Sequence, residues 1–347
     1  MSRAHTWAVG LAMVLGLAAG PAMAVSLIDE LGGEPLIQAA KKEGKVVVYT
    51  SNILSISRTL QLAFNKRFPE IAVELVRLGG GALHSKIMTE HAAAKLVADV
   101  LEYSDRGLIQ RAMDRGIVGK HTPPTDGLYP AQTKVHGMIY PGSVYLYLIA
   151  YNPVLVPDPP KSWMDLVDAR FRNKLGLVPA ELGGTPWMTA LFQYQVLGKN
   201  SESYWQKLAA QKPRFFTSAA PLGKSVVSGE TPVAVALDVV SLEDIKQGAP
   251  VKMVYPPEGV VVIVFNNALT AAPKNPNAGK LWLNWTLSRE GQEVWVKQVG
   301  GLSVRTDIAP PAGAPAKVNT WQASEEDFVK LRDPYTKRWN EIFGYKP

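Results

Sequence analysis

The chain has 347 residues, 47% of them hydrophobic and 19% charged, with 37 basic against 30 acidic side chains for a net charge of +7. A chain of this length and apolar content suits two domains with real cores, which excludes a disordered or low-complexity protein. It has no cysteine, which removes disulfide scaffolds, thiolate metal sites, cysteine nucleophiles and the acylated cysteine of a lipoprotein. The basic excess is mild and unclustered, so a nucleic-acid partner is not expected.

At the N-terminus, Arg3 and His5 precede an apolar stretch from Trp7 to Ala19, and Ala22-Met23-Ala24 supplies a small-x-small cleavage pattern. Residues 1–24 therefore read as a secretory signal peptide. The apolar run is 13 residues long, short of the roughly 20 that span a bilayer. The expected product begins near Val25, carries 36 − 30 = +6, and is not membrane-anchored. Its expected place is an extracytoplasmic space, most simply a periplasm.

Helical spacing from Glu34 to Lys45 ends in Lys41 and Lys42, which suit a helix C-terminus, and in Gly44, which suits a left-handed cap. Val46 to Tyr49 is a continuous apolar run, the pattern of a strand covered on both faces. Ile53, Ile56, Leu60, Phe64 and Phe68 then recur at helical spacing until Pro69. Alternation over 71–76 predicts a strand, Gly79-Gly80-Gly81 opens a helix, and Asp99 to Leu101 reads as a third strand. This β-α-β-α-β order implies a parallel sheet with right-handed crossovers.

The middle of the chain keeps the α/β rhythm. Val144 to Tyr151 is a long apolar run ended by Asn152-Pro153, Trp163 to Val167 a short helix, and Leu175 to Val178 a strand. Gly183-Gly184-Thr185-Pro186 turns into a helix reaching about Leu197, and Val233 to Leu237 is another buried strand before a helix over 241–246. Val260 to Phe265 is a second long apolar run, followed by helices bearing Leu281, Trp282, Trp285, Val294, Trp295 and Val299.

Six segments together resemble a known family. They are AKKEGKVVVYTS from Ala40 to Ser51, FNKRFP from Phe64 to Pro69, Ala98-Asp99-Val100, Ala150 to Pro153, SWMDLVD from Ser162 to Asp168, and Lys174 to Leu177. Their order over about residues 35–305 is similar to that of periplasmic solute-binding proteins of ABC transporters, in the ferric-iron and polyamine-type group. The resemblance implies an α/β fold of the two-lobed type II periplasmic-binding class. Each lobe would be a mostly parallel sheet flanked by helices, the two joined by crossing strands and closing on a solute. The apolar runs near 139–151 and 260–268 would be the crossings, giving lobe 1 as 36–137 plus 268–347 and lobe 2 as 138–267. The implied partners are a small-molecule solute, a membrane permease and its ATPase. No cofactor is implied, and the protein is expected to be a monomer and not an enzyme.

In open α/β sheets ligands lie at the carboxyl ends of strands. That rule selects Thr50, Ser51 and Asn52, whose hydroxyls, amide and following helix N-terminus suit an anion, or act as ordinary helix caps. It also selects Glu102 and Tyr103, and the Gly183-Gly184-Thr185 turn, whose glycines admit close backbone approach. Trp187 is either a ligand platform or a core side chain, and Asp238 suits a ligand amine or a cation, or caps a helix. The iron carriers of the resembling group hold iron through adjacent tyrosines after the strand matching 233–236. Here Leu237-Asp238-Val239-Val240 stands in that place, and valines cannot supply the anionic oxygens that Fe(III) prefers. His84 and His91 share a helix face about 10.5 Å apart along the axis, too far for one ion. The expectation is thus a small, anionic solute. The alternatives are a sensor subunit that presents its ligand, or a carrier of iron or a metal chelate without the tyrosine pair.

Overall fold

The computed structural model describes residues 26–311 and 318–346. The predicted signal peptide, residues 1–24, lies outside the described residues. Among them are ten strands: β1 (Lys45–Thr50), β2 (Ala72–Arg77), β3 (Val100–Tyr103), β4 (Tyr140–Tyr151), β5 (Leu175–Leu177), β6 (Arg214–Phe215), β7 (Val233–Leu237), β8 (Lys252–Val254), β9 (Val260–Leu269) and β10 (Thr320–Trp321). The described chain divides into two units, one of 26–144 with 264–311 and one of 145–263 with 318–346. Strands β4 and β9 each contribute residues to both.

In the first unit β1 pairs in parallel with β2 on one side and β3 on the other, and β3 pairs antiparallel with the second half of β9. The apolar run of β1 has the physical cause its pattern predicts, because both faces are covered. Val46 and Val48 pack with Leu60, Phe64 and Leu281, while Val47 and Tyr49 pack with Leu83, Ile87 and Ile109 on the opposite side. Phe64 of helix Leu54–Arg67 meets Trp282 and Trp285 edge-on at ring-centroid distances of 5.0 and 5.5 Å. Pairs of this geometry add about 0.5–1.5 kcal/mol each beyond the area they bury. The carboxylate of buried Asp99 accepts hydrogen bonds from Val47 N (2.8 Å) and Asn275 N (2.9 Å), tying the start of helix Pro276–Leu287 to the sheet.

In the second unit β7 is buried along its whole length, antiparallel to β4 and parallel to β5, and β5 is in turn parallel to β6. Gly176 of β5 lies so close to helix Ala219–Ser228 that a Cβ there would fall 2.4 Å from Leu222 Cδ1 and 2.6 Å from Thr231 Oγ1. Helix Gly184–Phe192 continues as a wider-turned segment, Gln193–Leu197.

The C-terminal segment differs from the expected division, which gave all of 268–347 to one lobe. Residues 318–346 belong with 145–263. The reason is aromatic complementarity. Tyr335 packs edge-on against Tyr194 (4.7 Å) and Trp339 against Phe215 (5.7 Å), and β10 pairs with Val260 and Val261 of β9. Without helices Glu325–Lys330 and Arg332–Phe343, those faces would be open to water.

Candidate functional site

In the first unit the sequence-selected residues Thr50, Ser51, Asn52, Glu102 and Tyr103 come together where β1 and β3 end side by side, with Thr50 opposite Glu102 in the parallel ladder. Their roles divide sharply. The Glu102 carboxyl is buried and accepts a short hydrogen bond from the Thr50 hydroxyl and a 3.0 Å bond from Asn52 Nδ2. Thr50 Oγ1 accepts from Asn52 N (2.9 Å), and Asn52 Oδ1 accepts from Ile53 N (2.8 Å). The side chains of Thr50, Asn52 and Glu102 are therefore engaged with one another. They form the support of the loop rather than its outer surface, which corrects the expectation that they offer donors and acceptors outward. Ser51 remains half-buried at the surface, its hydroxyl oxygen accepting from Ser104 N at 3.2 Å.

What this knot leaves open is backbone. Helix Leu54–Arg67 starts at Ile53 with no side-chain cap, and helix Gly80–Ala92 starts at Gly79 with none. Both follow parallel neighbours, β1 and β2, so both first turns lie at the same edge of the sheet, where aligned peptide dipoles concentrate partial positive charge. Helix Arg106–Asp114, by contrast, is capped by Asp105, whose carboxylate accepts from Leu108 N at 3.2 Å. Exposed Arg77 ends β2 and donates from Nε to the Asn52 carbonyl (3.0 Å), which adds a full positive charge to the loop. Sequence reasoning missed Arg77, although its place at a strand's carboxyl end, two residues before a glycine run, was the available signal.

Tyr103 is fully buried, and its hydroxyl has no hydrogen-bond partner; burial, aided by nearby Asp105, raises the phenol well above its ordinary range. The His84 ring stands 6.3 Å from the Tyr103 ring, edge to face, and its buried Nδ1 is likewise unpartnered. Burial lowers the His84 pKa, an effect to which the Arg111 charge adds, so the imidazole is held toward its neutral form. Each unmet buried polar atom costs free energy unless something completes it. His84 enters the site here as a neighbour of Tyr103, not as a metal ligand, and its helical spacing to His91 gave no signal of that.

In the second unit, helix Gly184–Phe192 starts at Gly183 without a side-chain cap. Thr185 and Pro186 are the second and third residues of the helix, so the helix opens within the glycine pair. Trp187 is a core side chain: it is fully buried and its Nε1 donates to Phe328 O at 2.8 Å. Asp238 opens helix Asp238–Lys246 and is buried, with Val239 N donating to its carboxylate at 2.8 Å and a further backbone bond from Leu146. Burial raises its pKa to about 7 despite those bonds. Neither Trp187 nor Asp238 faces outward.

A family model described as "Bacterial extracellular solute-binding protein" matches residues 96–327. The chain belongs to the bacterial extracellular solute-binding proteins. As such it is a solute-capturing component of an ABC transporter, and the family is one of binding proteins rather than enzymes. An uncharacterised Haemophilus influenzae protein is 24% identical to this solute-binding protein over 322 residues, covering 87% of this chain and 91% of that one. A Salmonella typhimurium protein, provisionally named a 2-aminoethylphosphonate-binding periplasmic protein, is 26% identical over 287 residues, 78% of this chain and 83% of that one. Among solved structures, the substrate-binding protein of an ABC transporter from Agrobacterium tumefaciens matches with a TM-score of 0.77 at 19% identity, covering 86% and 94% of the two chains. AfuA from Actinobacillus pleuropneumoniae, with fructose-6-phosphate bound, matches at 0.75 and 19%, covering 87% and 99%. Iron-bound HitA from Pseudomonas aeruginosa matches at 0.72 and 21%, covering 86% and 99%. At these identities the structures establish the type II periplasmic-binding fold. No helix among the described residues is long and apolar enough to cross a membrane.

Proposed function

We propose that this solute-binding protein captures a small phosphorus-containing anion, a phosphonate or phosphate ester, and delivers it to its permease. The observation that carries the reading is the pair of uncapped helix starts at Leu54 and Gly80, after neighbouring parallel strands, with Arg77 Nε on the Asn52 carbonyl just before the first of them. Convergent backbone N–H groups and an arginine suit a compact anion with several acceptor oxygens. In the second unit, taken by itself, the uncapped start of helix Gly184–Phe192 offers amides of the same chemistry. Ser51 offers a hydroxyl. The bound sugar phosphate of AfuA and the phosphonate in the Salmonella relative's name support the same ligand class. The residues after β7 favour it over bare Fe(III), because Val239 and Val240 offer no oxygen and the Asp238 carboxylate is taken up by backbone bonds.

The test is a thermal-shift screen of the mature chain followed by calorimetry, with 2-aminoethylphosphonate, fructose-6-phosphate, small carboxylates, polyamines and ferric citrate as probes. A phosphorus anion should raise the melting temperature and bind stoichiometrically. Stabilisation by ferric iron alone, or by polyamines alone, would overturn the reading.

A further inference from the structure

The Glu102 carboxyl is buried beneath the loop with no cation on it. Its two oxygens accept from Thr50 Oγ1 and Asn52 Nδ2, and through Asn52 it is one residue from the amides that open helix Leu54–Arg67. On its other side it borders a narrow internal cavity of about 10 Å³, the space of one water, shared with Ser57, Ser143, Asn267 and Gln292. The Ser57 hydroxyl there is buried and has no partner. Those four side chains are neutral, as are the others that line the cavity from β1, β2 and the helices Leu54–Arg67, Pro276–Leu287 and Arg289–Val294. Arg77 reaches the loop from its outer side, on the Asn52 carbonyl. Tyr103, next on β3, faces the opposite core with His84 and Asp105 near it.

We propose that Glu102 is a positioning residue whose proton is linked to solute capture: it fixes the loop Thr50–Ile53 from below, and an anion bound by the amides above it draws a proton from solvent onto its carboxyl. The inference rests on the anion reading of the loop. Two negative charges approaching each other in a dry environment repel strongly, and the carboxyl relieves the repulsion by taking a proton at one Oε while the other continues to accept. Burial already raises its pKa, against the lowering effect of Thr50 and Asn52, so the fold favours the protonated carboxyl in the same direction as an approaching anion. A glutamine reproduces the protonated form: its oxygen accepts from Asn52 Nδ2 and its amide donates to Thr50 Oγ1, so E102Q keeps the loop and loses the charge.

Calorimetry of wild type, E102Q and E102A with 2-aminoethylphosphonate and fructose-6-phosphate, in buffers of different ionisation heat between about pH 5 and pH 8, separates the two roles. Wild type should take up protons in excess of E102Q. E102Q should bind equally or more tightly above neutral pH, and E102A at least about tenfold more weakly. Equal proton uptake in wild type and E102Q would overturn the linkage, and unchanged affinity in E102A would overturn the positioning role. A ligand-free arm stands apart from the solute reading. A carboxyl whose folded pKa is raised contributes stability below its unfolded pKa of about 4.3 that is lost as pH rises through the folded value. The melting temperature of E102Q relative to wild type should therefore climb with pH, and amide exchange over 51–57 should quicken in E102A. A pH-independent difference with unaltered exchange would overturn the proposal, whereas failure of every probe on wild type, with this arm positive, would overturn only the phosphorus-anion reading. If E102A does not fold, Thr50→Val removes one of the two donors and gives the same exchange readout.

Discussion

Asp238 shows how burial and hydrogen bonding compete at one carboxyl group. Its position at the first turn of a helix and two backbone N–H bonds both favour the charged form, yet burial outweighs them and the pKa stands at about 7. The sign follows from linkage. With the folded value above the unfolded value of about 3.9, the stability that Asp238 contributes is complete at low pH and is lost as pH rises through about 7. Asp238→Asn removes that loss while adding a pH-independent cost, since an amide can accept one backbone bond but must turn its NH2 toward another donor. Relative to wild type, its unfolding free energy should rise by on the order of 2–4 kcal/mol between about pH 4 and pH 8, measured by urea unfolding across that range. A flat difference would mean that the carboxyl ionises in the fold as easily as in water. Solute affinity should be unaltered in this variant, because Asp238 faces the interior.

At the scale of elements, helix starts that follow strand ends matter more than any one side chain. In the second unit, helix Gly184–Phe192 presents the half-buried Thr185 in its first turn above a core anchored by Trp187. Thr185→Trp places a large ring over those amides without entering the core. The expected outcome is a loss of phosphonate or phosphate-ester affinity of about tenfold or more, with the melting temperature of the free protein nearly unchanged. Unchanged affinity by calorimetry would remove this helix from the site, and a large fall in stability would show that Thr185 packs inward. The contrast with Trp187 also explains what the sequence could and could not tell. The β1 run Val46 to Tyr49 was legible because a strand covered on both faces must be apolar throughout. The turn at 183–186 was legible from its glycines. Trp187 was not, since the pattern around a tryptophan behind a turn is the same whether the ring meets a ligand or Phe328, a partner 141 positions away. Likewise the Thr50–Glu102 bond joins residues 52 apart, and no local spacing announces that a polar loop side chain is already occupied.

On the scale of the whole molecule, the chain enters the second unit twice, through 145–263 and again through 318–346. The sequence showed that the last helices are amphipathic but not which face they cover, because periodicity fixes the apolar stripe of a helix and leaves its partner undetermined. That partner is the aromatic surface of Tyr194, Trp205 and Phe215, against which Tyr335, Trp339 and Phe343 pack, with Phe328 held by Trp187. Helix Pro276–Leu287 with its tryptophans stays in the first unit, around Phe64. The two parts of the C-terminal third therefore stabilise different cores, and a truncation can separate them. A chain ending at residue 311 keeps the first unit whole and strips the second of its aromatic cover, exposing apolar surface of the kind that binds hydrophobic dyes. Hydrogen exchange should then lose protection over about 185–215 while 45–50 and 100–112 remain protected, with dye fluorescence rising in parallel. Protection retained over 185–215 would show that the second unit closes its own core, whereas a uniform loss throughout the chain would show that the two cores fold as one cooperative body.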